Sequence, residues 1–346
     1  MSGAVLRRAE VLGGGEGSGG LRVRLTQGPL AGETFFACAY PEFGPEPQVG
    51  EVVLVNALGV EMGLGTGGVV FLVPGRSTGE AERNRDHFVK LPYTPLQFAC
   101  EPAEGAGEDP EPLRGVPTVV LPLHSHLAPA CCAARDLGAR RVVFVCQEGG
   151  ALALGFSRTV GRLKALGLLA CSVSSGACFG GDIEAPNVYA ALEAAARFES
   201  GADLVVVGIG PGVVGTATRY GHGGMSVASA LNAAAALGGE PVLAPRLSGA
   251  DGRKRHRGVS HHTLTALRAT PVGCRVAVPE SGRELVARTE LPARHRAVPA
   301  AGAGGLQERF GVTFTSMGRG YTEDPVFFDA AAAAVRVALG GAGGEE

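Results

Sequence analysis

Lysine is nearly absent from this chain: Lys90, Lys164 and Lys254 are the only three in 346 residues. The formal net charge is -2, so the overall balance argues against general binding to nucleic acid or to an anionic membrane surface. Almost every cation is therefore an arginine, and anion recognition is to be sought where arginines cluster. No run of 18 or more apolar residues occurs, which excludes a membrane-spanning helix. No C-x-x-C occurs, which argues against a zinc ribbon or a thioredoxin-type motif. The eight cysteines follow no framework spacing: Cys131 and Cys132 are adjacent, while Cys146 and Cys171 sit inside apolar runs. They read as buried reduced thiols. Residues 1–16 are polar and glycine-rich, without the apolar centre of a signal peptide, so a cytoplasmic location is expected.

What the chain does have is enough apolar residue, 45%, to build a core, and a length that suggests two domains. Its 55 glycines and 22 prolines predict many tight loops. Residues 1–98 read as a β-rich, barrel-like domain, with strands at 21–25, 34–40 and 69–73 and a turn feeding a strand over 49–55. The glycine-rich stretch 63–68 lies between two strands and reads as a bulged hairpin turn. Residues 99–115, acidic and rich in Gly and Pro, form a linker.

The pattern then changes. Apolar strands at 117–123, 141–146, 169–173, 203–209, 241–245 and 274–278 alternate with helical stretches at 127–137, 151–166, 187–198, 226–237 and 260–267. Continuous Val/Leu strands between helices predict a mostly parallel sheet covered on both faces, a doubly wound, Rossmann-like α/β domain over 116–280. Residues 281–346 read as a C-terminal extension. In it, 300–305 is a flexible connector, Asp324-Pro325 starts a helix that packs on the α/β domain, and a glycine-rich acidic tail frays.

In open parallel sheets, ligands bind beyond the carboxyl ends of the strands. The unusual residues of this chain fall there. They are His124-Ser125-His126, then Glu148-Gly149-Gly150, then the stretch 176–184 with Cys178, Gly180, Gly181, Asp182 and Glu184, then Gly210-Pro211-Gly212-Val213-Val214-Gly215-Thr216. Last comes Arg255-His256-Arg257-Gly258-Val259-Ser260-His261-His262-Thr263, the densest concentration of imidazole and guanidinium.

Arg255 and Arg257 suit bidentate grip of a phosphate or carboxylate. Gly210 and Gly212 allow backbone N–H groups to approach an anion, or else belong to a structural loop; the stretch lacks the ending of a P-loop. Asp182 and Glu184 suit a general base or hydroxyl acceptors, and equally the charge complementarity of a helix N-terminus. Adjacent histidines diverge on a helix, so one of His261 and His262 is expected to face a ligand. His124 and His126, two apart on a strand end, have the spacing of a metal pair, or of one bonded and one exposed histidine.

Taken together, these strings resemble a family of bacterial proteins of unknown function, DUF3866. The resemblance rests on Ala39-Tyr40-Pro41-Glu42, Glu61-Met62-Gly63-Leu64-Gly65-Thr66-Gly67-Gly68, Lys90-Leu91-Pro92-Tyr93-Thr94-Pro95-Leu96-Gln97, Leu123-His124-Ser125 and Leu127-Ala128-Pro129. It continues in Phe179-Gly180-Gly181-Asp182, the 210–216 loop, His256 to Thr263 and Met317-Gly318-Arg319-Gly320. It implies that the β-rich start belongs with the α/β part. It also implies that His126 and Cys178 stand where the family usually has other residues, which weakens both a His124/His126 metal pair and a Cys178 nucleophile. Glu148 stands where an Asp is usual, so a carboxylate is kept.

The expected function is an enzyme, a hydrolase or transferase, acting on a small anionic, phosphorylated or nucleotide-like substrate. His124 or His261 would be the acid or base and Asp182 would orient the substrate. Ser125, Glu148, Gly149, Gly180, Gly181, Glu184, Gly210, Gly212, Thr216, His256, Arg257, Ser260, His262 and Arg319 would bind it. No metal-ligand set and no cofactor are assigned, and a divalent metal near His124 or His256 stays an open question. A non-enzymatic ligand-binding or regulatory protein and a structural homo-oligomer are the alternatives; a homodimer is expected.

Overall fold

The structure, a computed structural model, describes residues 4–14, 20–64, 68–75, 87–103, 109–216 and 218–340. Part of the expected turn at 63–68 and the C-terminal tail therefore lie outside the described residues. The chain forms two compact units, Met1–Cys100 and Glu101–Glu346.

In the first unit, β1 (Leu6–Gly14), β2 (Gly20–Leu25), β3 (Thr34–Cys38), β4 (Val52–Asn56) and β5 (Val69–Val73) close a barrel in the order β1-β2-β3-β5-β4. One turn of helix, α1 (Leu58–Glu61), precedes β5, and a hairpin of β6 (Phe88–Lys90) and β7 (Phe98–Cys100) follows. Alternate side chains fill the interior: Ala9, Val11, Leu21, Val23, Leu25, Ala37, Val55 and Val70. The strand β1 was not legible in a polar stretch rich in Arg and Gly. It forms because it pairs on both edges, with β2 and with β4, and so closes the barrel.

The second unit runs β8 (Thr118–Val120), α2 (Leu127–Asp136), β9 (Val142–Gln147), α3 (Arg158–Ala165), β10 (Cys171–Ser175), β11 (Ile183–Ala185) and α4 (Val188–Arg197). It continues with β12 (Leu204–Ile209), α5 (Ser226–Ala236), β13 (Val242–Leu243), β14 (Leu247–Ser248), β15 (Gly258–Val259) and α6 (His261–Arg268). The last elements are β16 (Arg275–Pro279), α7 (Arg283–Ala287), β17 (Arg296–Ala300), α8 (Leu306–Phe310), β18 (Thr315–Ser316), β19 (Arg319–Gly320) and α9 (Pro325–Gly340).

Eight strands form one parallel sheet in the order β11-β10-β9-β12-β8-β13-β16-β17. It is covered on both faces, as the apolar runs require. Val142, Phe144 and Cys146 of β9 enter one core with α2, α3 and α9, while Val143 and Val145 enter the other with α4, α5 and α6. The architecture is a small barrel followed by a Rossmann-like doubly wound sheet.

Helix boundaries follow from their caps. Within 151–166 a 3-10 turn at Leu154–Phe156 comes first and the α-helix starts only at Arg158, because Ser157 accepts a hydrogen bond from the Val160 N–H and fixes the start there. Asn187 caps α4 and Ser260 caps α6 in the same way.

Residues 300–305 are not a flexible connector. The carboxylate of Asp329, buried in α9, accepts from the Ala303 N–H (2.7 Å), the Ser281 hydroxyl (2.5 Å) and the Tyr321 hydroxyl (2.8 Å), which pins the segment. Strand β17 and helix α9 thus belong to the layers of the sheet. Among the described residues no helix is long and apolar enough to cross a membrane.

Candidate functional site

Three strands adjacent in the sheet, β12, β8 and β13, end at one place, and the loops after them line a cavity of about 530 Å³. The loop after β8 gives Leu123, His124 and Ser125; the loop after β12 gives 211–216 and His222; the segment after β13 gives Arg246, Arg253, Arg255, His256 and His262. The turn at Thr315 and Ser316 completes the wall, tied to the first loop by a Ser125–Ser316 hydroxyl hydrogen bond of 3.1 Å.

Bare backbone builds the wall. The Val214 N–H donates to the Gly149 carbonyl (3.1 Å), the Gly223 N–H to the Val214 carbonyl (2.8 Å), and Gly215 bridges to His222. At Gly149 a Cβ would stand 2.6 Å from the Gly223 carbonyl oxygen, so the two segments touch because neither has a side chain there. This contact delivers His222 to the cavity.

Four histidines gather there. His222 lies face to face on His262, with ring centroids 3.6 Å apart, and His256 and His261 stand 4.8 and 4.4 Å from His262. Of the two adjacent histidines only His262 lines the cavity, yet the imidazole nitrogens of His222, His261 and His262 come within 4.8 Å of one another. The Ser260 hydroxyl accepts from the His262 backbone N–H and hydrogen-bonds to Nδ1 of His256 (2.8 Å), so one cap residue orients the His256 ring and fixes the backbone at His262. Burial pushes His256 down to about 3 and His262 to about 2, and the neighbouring cations and imidazoles add to it. His222 and His261 are lowered by burial in the same way, the Arg219 carbonyl partly offsetting this for His222. All four rings are therefore neutral at pH 7. Both nitrogens of His222 and Nε2 of His261 are buried without a hydrogen bond of standard geometry.

Guanidinium groups outnumber carboxylates beside them. Asp251 is shared by Arg246 (3.3 Å), Arg253 (2.9 Å) and Arg319 (3.8 Å), and Arg319 also faces Asp324 at 3.6 Å. Arg255 lines the cavity and makes no ion pair among the described residues. Four cations thus meet two carboxylates. Arg246 is only 4% exposed, its Nε has no partner, and burial followed by repulsion from Arg253 lowers it to about 10. Hydrogen bonding from Arg253 holds Asp251 well below the usual carboxylate range, so it stays charged.

Other expected residues are elsewhere or are used differently. Asp182, Glu184, Gly180 and Gly181 do not line the cavity, because they follow β10, which β9 and β12 separate from β8. The Asp182 carboxylate is taken up by Lys164 (2.6 Å) and by the backbone and hydroxyl of Ser172. Glu184 accepts from Ser174 and from the Gly180 and Gly181 N–H groups. Glu148 accepts from the Ala177 N–H and joins two loops. These carboxylates shape the chain, and Asp182 has no route to orient a ligand in the cavity.

His124 does line it, but in a 3-10 turn rather than on a strand. Its Nδ1 lies 3.0 Å from the Ile209 carbonyl and its Nε2 2.6 Å from the Ser157 hydroxyl, so both nitrogens are engaged and an acid–base role would first break one of these bonds. His126 is fully buried, its ring 4.5 Å from that of Phe327, and it does not line the cavity with His124. Cys178 is fully buried with its Sγ 4.0 Å from that of Cys146, leaving no exposed nucleophile.

Gly149 and Gly210 lie beneath the wall, and Ser260, His261, Arg257 and Arg319 stand behind it. Ser125, Gly212, Thr216, His256 and His262 line it as expected. His222, Arg246, Thr159, Thr315 and Ser316 were not singled out from the sequence. The string Gly221-His222-Gly223-Gly224 was the signal for the first, a histidine between glycines that allow close approach.

No curated protein and no solved structure matches the chain. Residues 36–335 match the family described as protein of unknown function (DUF3866), and the chain belongs to that family.

Proposed function

We propose that the C-terminal unit is an enzyme, a hydrolase or transferase, that binds a small anionic substrate bearing a phosphate or carboxylate group. The observation that carries this reading is that four guanidinium groups, of which Arg246 is buried and Arg255 is exposed, meet only two carboxylates at one cavity. Asp251 alone serves three guanidiniums and Arg255 has no ion pair among the described residues, and an anionic ligand supplies the missing charge. Arg253 and Arg255 reach the cavity from the segment after β13, Arg246 lies beneath them, and Gly212 to Thr216 present backbone and hydroxyl groups opposite. The neutral histidines stand beside the bound group and supply the chemistry.

A thermal-shift screen against inorganic phosphate, sugar phosphates, nucleotides and carboxylates tests the reading. A ligand at 100 times its Kd stabilises by about 2.7 kcal/mol. A response to phosphate-bearing or carboxylate ligands that Arg255→Gln diminishes is the expected result. Indifference to every anionic class would remove the proposal.

A further inference from the structure

We propose that His222, His261 and His262 form a three-histidine site for a divalent transition-metal ion, with its open positions turned to the anion cavity. Imidazole suits Zn²⁺ and its neighbours in the transition series, and a set of three protein ligands leaves room for water or substrate on the ion. The three ligand nitrogens come within 4.8 Å of one another. Zn–N bonds of about 2.0–2.1 Å in a tetrahedron place nitrogens roughly 3.3 Å apart, so rotation of side chains closes the gap and the backbone need not move.

One further observation points to a ligand here. Both nitrogens of His222 and Nε2 of His261 are buried without a hydrogen bond of standard geometry, a condition native proteins avoid unless an ion or water fills it. Gly224 lets backbone pack against the pair: a Cβ there would crowd Nδ1 of His222 at 3.1 Å and stand 3.5 Å from Cβ of His262. His261 and His262 are fixed by the Ser260 cap at the start of α6, and His222 by the Gly215 bridge.

The site deepens the anion-binding reading and rests on it in one respect. Arg246, Arg253 and Arg255 line the same cavity, and they oppose entry of a bare cation. The ion and the anion therefore fill the cavity together, with an oxygen of the anion taking an open position on the metal while the arginines hold its other oxygens. The ligand class is then an oxyanion bound across a metal and a guanidinium cluster, as a phosphate or carboxylate would be.

The test is titration of chelator-stripped full-length protein with Co²⁺, followed by its visible absorption, and with Zn²⁺, followed by calorimetry, with and without inorganic phosphate. The wild type is expected to bind one ion per chain. His222→Gln, His261→Gln and His262→Gln should each weaken binding at least about tenfold, while His87→Gln, in the other unit, leaves it unchanged. Phosphate should tighten the metal by about fivefold or more. Should buried His222→Gln fail to fold by circular dichroism, the half-buried His261 and His262 variants decide the matter.

No bound metal, or binding that none of the three variants moves, overturns the site. Phosphate binding measured in EDTA separates the two readings. If it persists and depends on Arg255 while cobalt does not bind, the metal site falls and the anion cavity stands. If cobalt binds as described and no anion does, the histidine site stands and the anion reading falls.

Discussion

The imidazole of His222 stacks on that of His262 with planes 10° from parallel, although one lies in the loop after β12 and the other in the first turn of α6. Two segments held by backbone contact and by a serine cap bring them together. The crevice beside them combines neutral imidazoles with surplus guanidinium, a pairing suited to an anion and hostile to a protonated ligand.

Arg255 is exposed and, unlike Arg253, makes no ion pair among the described residues. Arg255→Gln is expected to leave the melting temperature unchanged, since surface substitutions stay within about 0.5 kcal/mol. It should weaken a phosphate-bearing ligand by roughly 10- to 100-fold, the worth of a charge-assisted hydrogen bond of about 1.5–3 kcal/mol. Asp182→Asn, between β10 and β11 and outside the cavity, should not alter that affinity. Calorimetry on both variants checks the pair.

Asp251 neutralises three arginines at once. Asp251→Asn leaves buried Arg246 without its counter-charge and should destabilise the unit by about 3–5 kcal/mol. Added phosphate or sulfate should restore part of this by occupying the cavity. A melting series in rising sulfate, compared with the same series in chloride, measures the rescue. Equal behaviour in the two salts would show that no anion reaches the site.

The contact between Gly149 and Gly223 admits no side chain. A Cβ at Gly223 would run into the carbonyl of Gly149, so Gly223→Ala must push the two loops apart. It should abolish ligand binding and lower stability by more than about 2 kcal/mol, the strain being backbone against backbone. Gly212→Ala is the comparison: its φ of +74° strains an alanine but nothing lies in the way, and a cost of about 1 kcal/mol is expected. Denaturant titration of both variants separates clash from conformational strain.

Acid should destabilise the unit early. Burial, with a contribution from Arg246 and against the Phe327 carbonyl, pushes His126 down to about 3, and burial pushes His124 down to about 4. An unfolded histidine titrates near 6.5, so below that pH the unfolded chain takes up protons that the folded one refuses. Stability is complete above about pH 7.5 and falls as pH drops toward 4, by at most about 1.4 kcal/mol per pH unit for each such histidine. His126→Leu should flatten this slope by one proton while the protein keeps its stability at neutral pH. Denaturant melts at a series of pH values check it, and an unchanged slope would mean that His126 is not the group responsible.

The strands of the parallel sheet and its main helices were legible because Val/Leu runs and helical stretches alternate along the chain, while the start of α3, set by the Ser157 cap, was not. Strands β1 and β17 were not. One is polar on its outer side and the other carries Pro299, and each forms through pairing with a partner distant in sequence.

The site was half legible. The stretch from Arg255 to His262 identified itself by composition, and so did Ser125, Gly212 and Thr216 by position. Asp182, Glu148 and Glu184 looked equivalent to these because every loop at a strand end looks alike in sequence.

By itself, then, the sequence determined the fold class, the edge of the sheet where polar loops gather, and the family. Tertiary structure decided which of those loops meet. Strand order in the sheet differs from order in the chain, so β12, β8 and β13 end together while β10 ends apart. It also brought His222 onto His262 and left three guanidiniums sharing one carboxylate, because burial and proximity are set by chain segments far apart in sequence.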